Sequence, residues 1–150
     1  MVVKLTLALG LMAVCVALHT AGVTCALRWL RRRVQPAPNL WPGTRLLIEL
    51  AAWIILLHLV AIIIWGLCYT WTGALPGVQT AVYFSAVTYT TTGYGDLTLP
   101  EAWRLVGAVE ALTGVLMCGL STGFFFAVMS HLYQVWDQSA QPSRSASEPS

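Results

Sequence analysis

Three long runs with almost no charge constrain this chain more than any other feature of it. A hydrocarbon core about 30 Å thick takes about 20 apolar residues of helix to cross. Leu5–Leu27 supplies 23 residues without a charge, Leu46–Tyr69 supplies 24 with one at Glu49, and Leu105–Met129 supplies 25 with one at Glu110. Over 150 residues the chain is 57% hydrophobic and 9% charged. Soluble domains carry about 25% charged residues, so too little polar material remains here to cover a water-facing surface. The expected class is an all-α, multi-pass membrane protein.

Where the charges sit predicts the organisation. Arg28, Arg31, Arg32, Arg33 and Arg45 are five of the eight basic residues, and they lie between the first two runs. Short positive loops stay cytoplasmic, which predicts an N-terminus outside and a C-terminus inside the cell membrane. Pro36, Pro38, Pro42 and Gly43 are expected to break any helix in the same stretch. The expected layout is an N-terminal transmembrane helix (1–30), a basic cytoplasmic linker (31–45), a membrane module (46–134) and a disordered tail (138–150) rich in Ser, Pro, Gln and Ala. The first run, preceded by Lys4, also has a signal-peptide reading, against which the arginines look like a flank that holds a retained helix. Anionic lipid head groups are the expected partners of Arg28, Arg31, Arg32 and Arg33. Trp41, Tyr69, Trp71, Trp103 and Trp136 fall near the expected helix ends, as interfacial aromatics do. Cys15, Cys25, Cys68 and Cys118 lie in apolar runs without metal-ligand spacing and read as small buried hydrophobes.

The connection over 70–104 cannot be an ordinary loop. Gly77–Tyr89 is apolar and aromatic, yet thirteen residues of helix reach only about 20 Å. With Pro76 placed to open it, it reads as a re-entrant helix that stops near the bilayer middle. There it meets Thr91-Thr92-Gly93-Tyr94-Gly95-Asp96. Irregular backbone at that depth is tolerated only when buried in protein or lining a water-filled path. Gly93 and Gly95 permit positive φ, and a backbone of alternating hand turns successive carbonyls to one side. Thr91, Thr92, Gly93 and Tyr94 would then offer a column of oxygens in place of a cation's water shell. One chain supplies one column, so several chains must surround one axis. The C-terminal end of the half-span helix would favour a cation by its dipole, and Asp96 would concentrate cations at the outer mouth.

Tyr89-Thr90-Thr91-Thr92-Gly93-Tyr94-Gly95-Asp96 resembles the signature of potassium channels, whose filter reads T-V-G-Y-G followed by Asp. The resemblance covers roughly 44–134 and implies an outer helix (46–69), a pore helix (77–89), a filter (91–95) and an inner helix (103–134). It implies a homotetramer passing K⁺ down its gradient, with K⁺ held by Thr91, Thr92, Gly93 and Tyr94. Thr92 stands where the family usually has Val or Ile; its hydroxyl needs a partner. Val87 stands where some members carry a Glu that serves the filter Asp. Gly114 and Gly119 match glycines that let the family's inner helix bend; close backbone packing is the other reading. Val115, Cys118, Thr122 and Phe126 follow helical spacing. By the family pattern they line the cavity, with Phe126 as a hydrophobic gate or, alternatively, a lipid- or helix-facing aromatic.

Glu110 is an intramembrane carboxylate, expensive unless it has a function or partners. It reads either as a structural residue, bonded to the pore helix or protonated against a threonine, or as a modulator of the response to pH or of conduction. His131 reads as an interfacial histidine, and His19 and His58 as bonded packing residues. No cofactor, nucleic acid or small-molecule substrate is expected, and neither is an enzyme, since no phosphate, zinc or nucleotide motif occurs. Three rivals to a K⁺ channel stand. One is a weakly selective cation channel and another a non-conducting membrane subunit or adaptor. The third is an intramembrane serine protease using Ser121 of Gly119-Leu120-Ser121-Thr122-Gly123, for which no histidine has an evident position.

Overall fold

A computed structural model describes residues 1–33 and 40–140, which form four helices and one short turn of 3-10 helix with no strand among them. Helix α1 is Val2–Arg33, α2 is Leu40–Trp71, α3 is Val78–Tyr89 and α4 is Arg104–Ala140, with the 3-10 turn at Glu101–Trp103. Three of these helices are long and apolar enough to cross a membrane; α3, with 12 residues, is not. In lipid a backbone must satisfy its own polar groups, and a continuous helix does so.

The helices overrun the expected boundaries. Arg33 still belongs to α1, and α2 already begins at Leu40, so Pro42 and Gly43 lie inside a helix rather than breaking one. The reason is position: the first turn leaves its N–H groups without intrahelical acceptors, so proline removes nothing there. Similarly, α4 continues to Ala140, past the expected start of the disordered tail at residue 138. Residues 141–150, Pro36 and Pro38 lie outside the described residues. Pro76 does not open α3. The helix starts at Val78, after Gly77 at φ 77°.

Helix α1 runs alongside α4 in the same direction and against α2. The Lys4 ammonium lies 4.3 Å from the Trp103 ring centroid at one end. At the other end Ala26 and Leu30 pack with Leu50 and Val128. Between them the Trp53 indole donates to the Gly22 carbonyl at 3.0 Å, and a Cβ on Gly22 would come within 2.7 Å of a Leu57 methyl carbon. The main core lies where α3 enters: Trp65 and Tyr69 of α2, Ala81, Phe84 and Tyr89 of α3, Val106 and Met117 of α4, with Ala8 and Cys15 of α1 closing it.

Two glycines set how closely α3 sits. The reversal after α2 turns at Gly73, φ 70°, with the Ala74 N–H bonded to the Tyr69 carbonyl at 2.9 Å. It returns α3 along α2 at Gly66, where a Cβ would stand 2.8 Å from the Val82 Cα. Helix α4 crosses the end of α3 at Gly114, and a Cβ there would fall on the Tyr89 carbonyl oxygen. Gly114 therefore has a packing reason to be glycine. Gly119, with nothing within 4 Å of such a Cβ, has no packing reason of that kind. Gly66→Ala and Gly114→Ala should each lower stability by about 1–3 kcal/mol through overpacking, whereas Gly119→Ala should not. Thermal melts in detergent check this, and equal melting of all three variants would refute the close-packing account.

A candidate functional site at the end of the half-span helix

Helix α3 ends at Tyr89, and the chain beyond it is irregular and exposed from Thr90 to Asp96. Its φ angles are positive at Thr91 (59°), Gly93 (53°) and Gly95 (77°), and at neither Thr92 nor Tyr94. The hand of the backbone thus alternates residue by residue. Glycine does this at little cost; for Thr91 it costs roughly 1–2 kcal/mol, so the surroundings must hold it. They do so through N–H groups: Thr91 bonds the Thr88 carbonyl at 2.9 Å, and Thr92 and Gly93 bond the Val87 carbonyl at 3.0 and 3.2 Å. The donors are turned back into the end of α3. Among the described residues no hydrogen bond ends on a carbonyl of residues 91–95.

Both departures from the family pattern find a local answer. The Thr92 hydroxyl pairs with the Thr90 hydroxyl at 2.9 Å, which meets its need for a partner. The place of the missing Glu at Val87 is taken one helical turn earlier by Tyr83, whose phenol donates to Asp96 Oδ2 at 2.7 Å. Sequence reasoning missed Tyr83. The available signal was spacing: Tyr83 stands one helical turn before Val87 on the same face of α3, with a phenol to offer a carboxylate left without its usual partner.

Behind this segment lie two buried polar clusters. Glu110, fully buried, accepts from the Tyr69 phenol at 2.7 Å and lies 2.5 Å from the Ser85 hydroxyl. The bond to the pore helix expected of Glu110 is therefore present, and it extends to α2 as well. In the second cluster His19 Nε2 lies 2.9 Å from Ser121 Oγ, His58 Nε2 lies 3.1 Å from the same oxygen, and His58 Nδ1 lies 3.2 Å from the Tyr89 phenol. The two imidazole centroids are 5.1 Å apart. All four helices meet there.

That cluster corrects the expectation that no histidine has an evident position at Ser121, because two reach it. Two imidazoles on one hydroxyl are not by themselves a hydrolase site. Ser121 is buried inside continuous helix, whose N–H groups are committed to the helix and offer no oxyanion site. Among the described residues no carboxylate orients either ring, Glu110 being bonded to Tyr69 and Ser85. The signal for this cluster was two histidines and a serine in apolar spans, each needing a partner.

Of the residues expected to face a cavity, Val115, Cys118, Thr122 and Phe126 all lie exposed on one side of α4 in the single chain, Phe126 at 73%. The Thr122 hydroxyl bonds its own helix at the Cys118 carbonyl, 2.9 Å.

No curated protein and no solved structure matches the chain. A family model does: Ion_trans_2, described as "Ion channel", matches residues 57–131, half of the chain, from the middle of α2 through α3 and the irregular segment to the later part of α4. A multi-pass helical chain with a half-span helix between two full spans, matched over that whole region, belongs to the ion channel family and carries its two-transmembrane pore domain.

Proposed function

We propose that this chain is a K⁺-selective channel subunit that conducts passively as a homotetramer, with Thr91, Thr92, Gly93, Tyr94 and Gly95 as the filter. The observation that carries this reading is the backbone of alternating hand at 91–95, with the N–H groups of Thr91, Thr92 and Gly93 bonded backwards and the carbonyls free to meet a cation. Free carbonyls in number are what a dehydrated K⁺ needs. Four copies supply four columns around one axis, and the exposed side of α4 through Val115, Cys118, Thr122 and Phe126 then faces the conduction path. The pore module is 46–134; α1 is an added, retained helix. Arg28, Arg31, Arg32 and Arg33 at the end of α1 lie on the cytoplasmic side against anionic lipid, which sets Asp96 at the outer mouth and Phe126 toward the inner gate. Gly119 is the inner-helix position left free to bend.

In planar bilayers with unequal salts the reversal potential should follow the K⁺ gradient; equal Na⁺ and K⁺ permeability would replace this reading with a weakly selective cation channel. Gly93→Ala should abolish K⁺ current while leaving the assembled protein intact by size-exclusion chromatography. Phe126→Ala should raise open probability severalfold, and an unchanged value would remove Phe126 as the gate. Tyr83→Phe should speed the decline of current during sustained opening, because Asp96 loses its bond at 2.7 Å. Decline at the wild-type rate would leave Tyr83 no part in holding the filter.

A further inference from the structure

The bonds around Glu110 can be counted in protons. Three oxygen–oxygen contacts join in series: Tyr69 hydroxyl to Glu110 Oε2 at 2.7 Å, Glu110 Oε1 to Ser85 Oγ at 2.5 Å, and Ser85 Oγ to the Ile62 carbonyl at 2.8 Å. Each contact at that distance needs one proton between its oxygens. The tyrosine hydroxyl brings one, the serine hydroxyl brings one, and a backbone carbonyl brings none. Two protons cannot fill three bonds. If Ser85 gave its proton to an ionised carboxylate, its oxygen would face the Ile62 carbonyl with lone pairs on both sides.

The surroundings agree with the count. Glu110 and Ser85 are both 0% exposed. The titratable groups within electrostatic reach of Glu110 are Tyr69, bonded to it, and Cys68 from α2, Tyr89 from α3 and Cys15 from α1. None of them is a cation. The nearest hydroxyl on its own helix, Thr113, is bonded to the Val109 carbonyl at 2.7 Å. Among the described residues the ion pair is Arg45–Glu49, at the far end of α2. An ionised Glu110 would be an uncompensated charge at membrane depth.

We infer that Glu110 is a neutral carboxylic acid which donates from Oε1 to Ser85 while Ser85 donates on to the Ile62 carbonyl and Tyr69 donates to Oε2, and that this relay makes Glu110 the positioning residue for the pore helix. The positioning part rests on the channel function proposed above; the proton count does not. The relay has a direction. It begins on α4, passes through the middle of α3 and ends on the backbone of α2, so one proton ties the three helices of the pore module together. Ser85 lies one helical turn before Tyr89, the residue that leads into the filter. Loss of the proton would turn the Ser85 hydrogen toward the carboxylate and leave the Ile62 carbonyl facing an oxygen. The tie is therefore present while Glu110 keeps its proton and is lost as rising pH removes it.

Glutamine can copy the neutral acid, with its NH₂ donating to Ser85 and its oxygen accepting from Tyr69. It cannot copy a carboxylate that accepts from both. The test uses the full chain reconstituted in vesicles. Infrared difference spectra of wild type against Glu110→Gln should contain the carbonyl stretch of a protonated carboxyl group at neutral pH, shifted in D₂O. In the same vesicles K⁺ flux should fall at alkaline pH for wild type, stay flat for Glu110→Gln, and be strongly reduced at all pH values for Glu110→Ala. Absence of the band, with Glu110→Gln melting below wild type, would overturn the neutral acid. The band together with Glu110→Ala conducting like wild type would overturn the positioning role. The band with no K⁺ flux from any variant would overturn the channel reading and uphold the proton count, so the two failures are separable.

Discussion

A helix that crosses a bilayer carries its own hydrogen bonds, but its polar side chains must find partners in other helices, and that requirement shapes this fold. The lipid offers nothing to an oxygen or a nitrogen at depth. Glu110 on α4 is therefore drawn to Ser85 on α3 and Tyr69 on α2. Ser121 on α4 is drawn to His19 on α1 and His58 on α2. Apolar packing between helices in lipid lacks the solvent drive it has in water. Close backbone approach at Gly66 and Gly114, together with these two clusters, gives α3 a defined seat. The irregular segment inherits that seat, because its N–H groups are bonded to the carbonyls at the end of α3.

What was legible in the sequence follows from length and composition along the chain. Three spans, one half-span and a glycine-punctuated hexapeptide can each be read without knowing which way a helix faces. Side-chain partners cannot. A helix apolar on all sides has no stripe to fix its rotation, so nothing in the order of residues says that His58 turns toward Ser121 or that Tyr83 turns toward Asp96. The polar residues announced that they needed partners, and the fold decided which. The helix boundaries failed for a different reason. Whether a proline breaks a helix depends on its place in it, and Pro42 stands in the first turn of α2, where its missing N–H costs nothing.

The first helix lies outside the matched region 57–131, yet it is not a passive addition. The Trp53 indole of α2 holds it at Gly22, and its Lys4 sits over Trp103 in the turn that leads into α4. Its His19 reaches Tyr89 in three hydrogen bonds, through Ser121 and His58. Tyr89 is the last residue of α3. A displacement of α1 would thus be felt at the base of the irregular segment, by a route that shares no bond with the Glu110 cluster.

The two clusters act on α3 at different points, and this bears on how a Thr can stand where the family pattern has Val or Ile. A branched apolar side chain at that position packs against the structure behind it without demanding anything. Thr92 demands a hydrogen bond and takes it from Thr90, one residue beyond the end of α3. The pairing is local, so it can hold only if the end of α3 is itself held. Glu110 fixes the helix at Ser85, the histidine cluster fixes it at Tyr89, and Tyr83 reaches across to Asp96 on the far side of the segment. Thr91 can then keep its positive φ, because the residues on both sides of it have no freedom to relax the strain. The irregular segment is held from behind by polar bonds where an apolar filter backing would rely on packing.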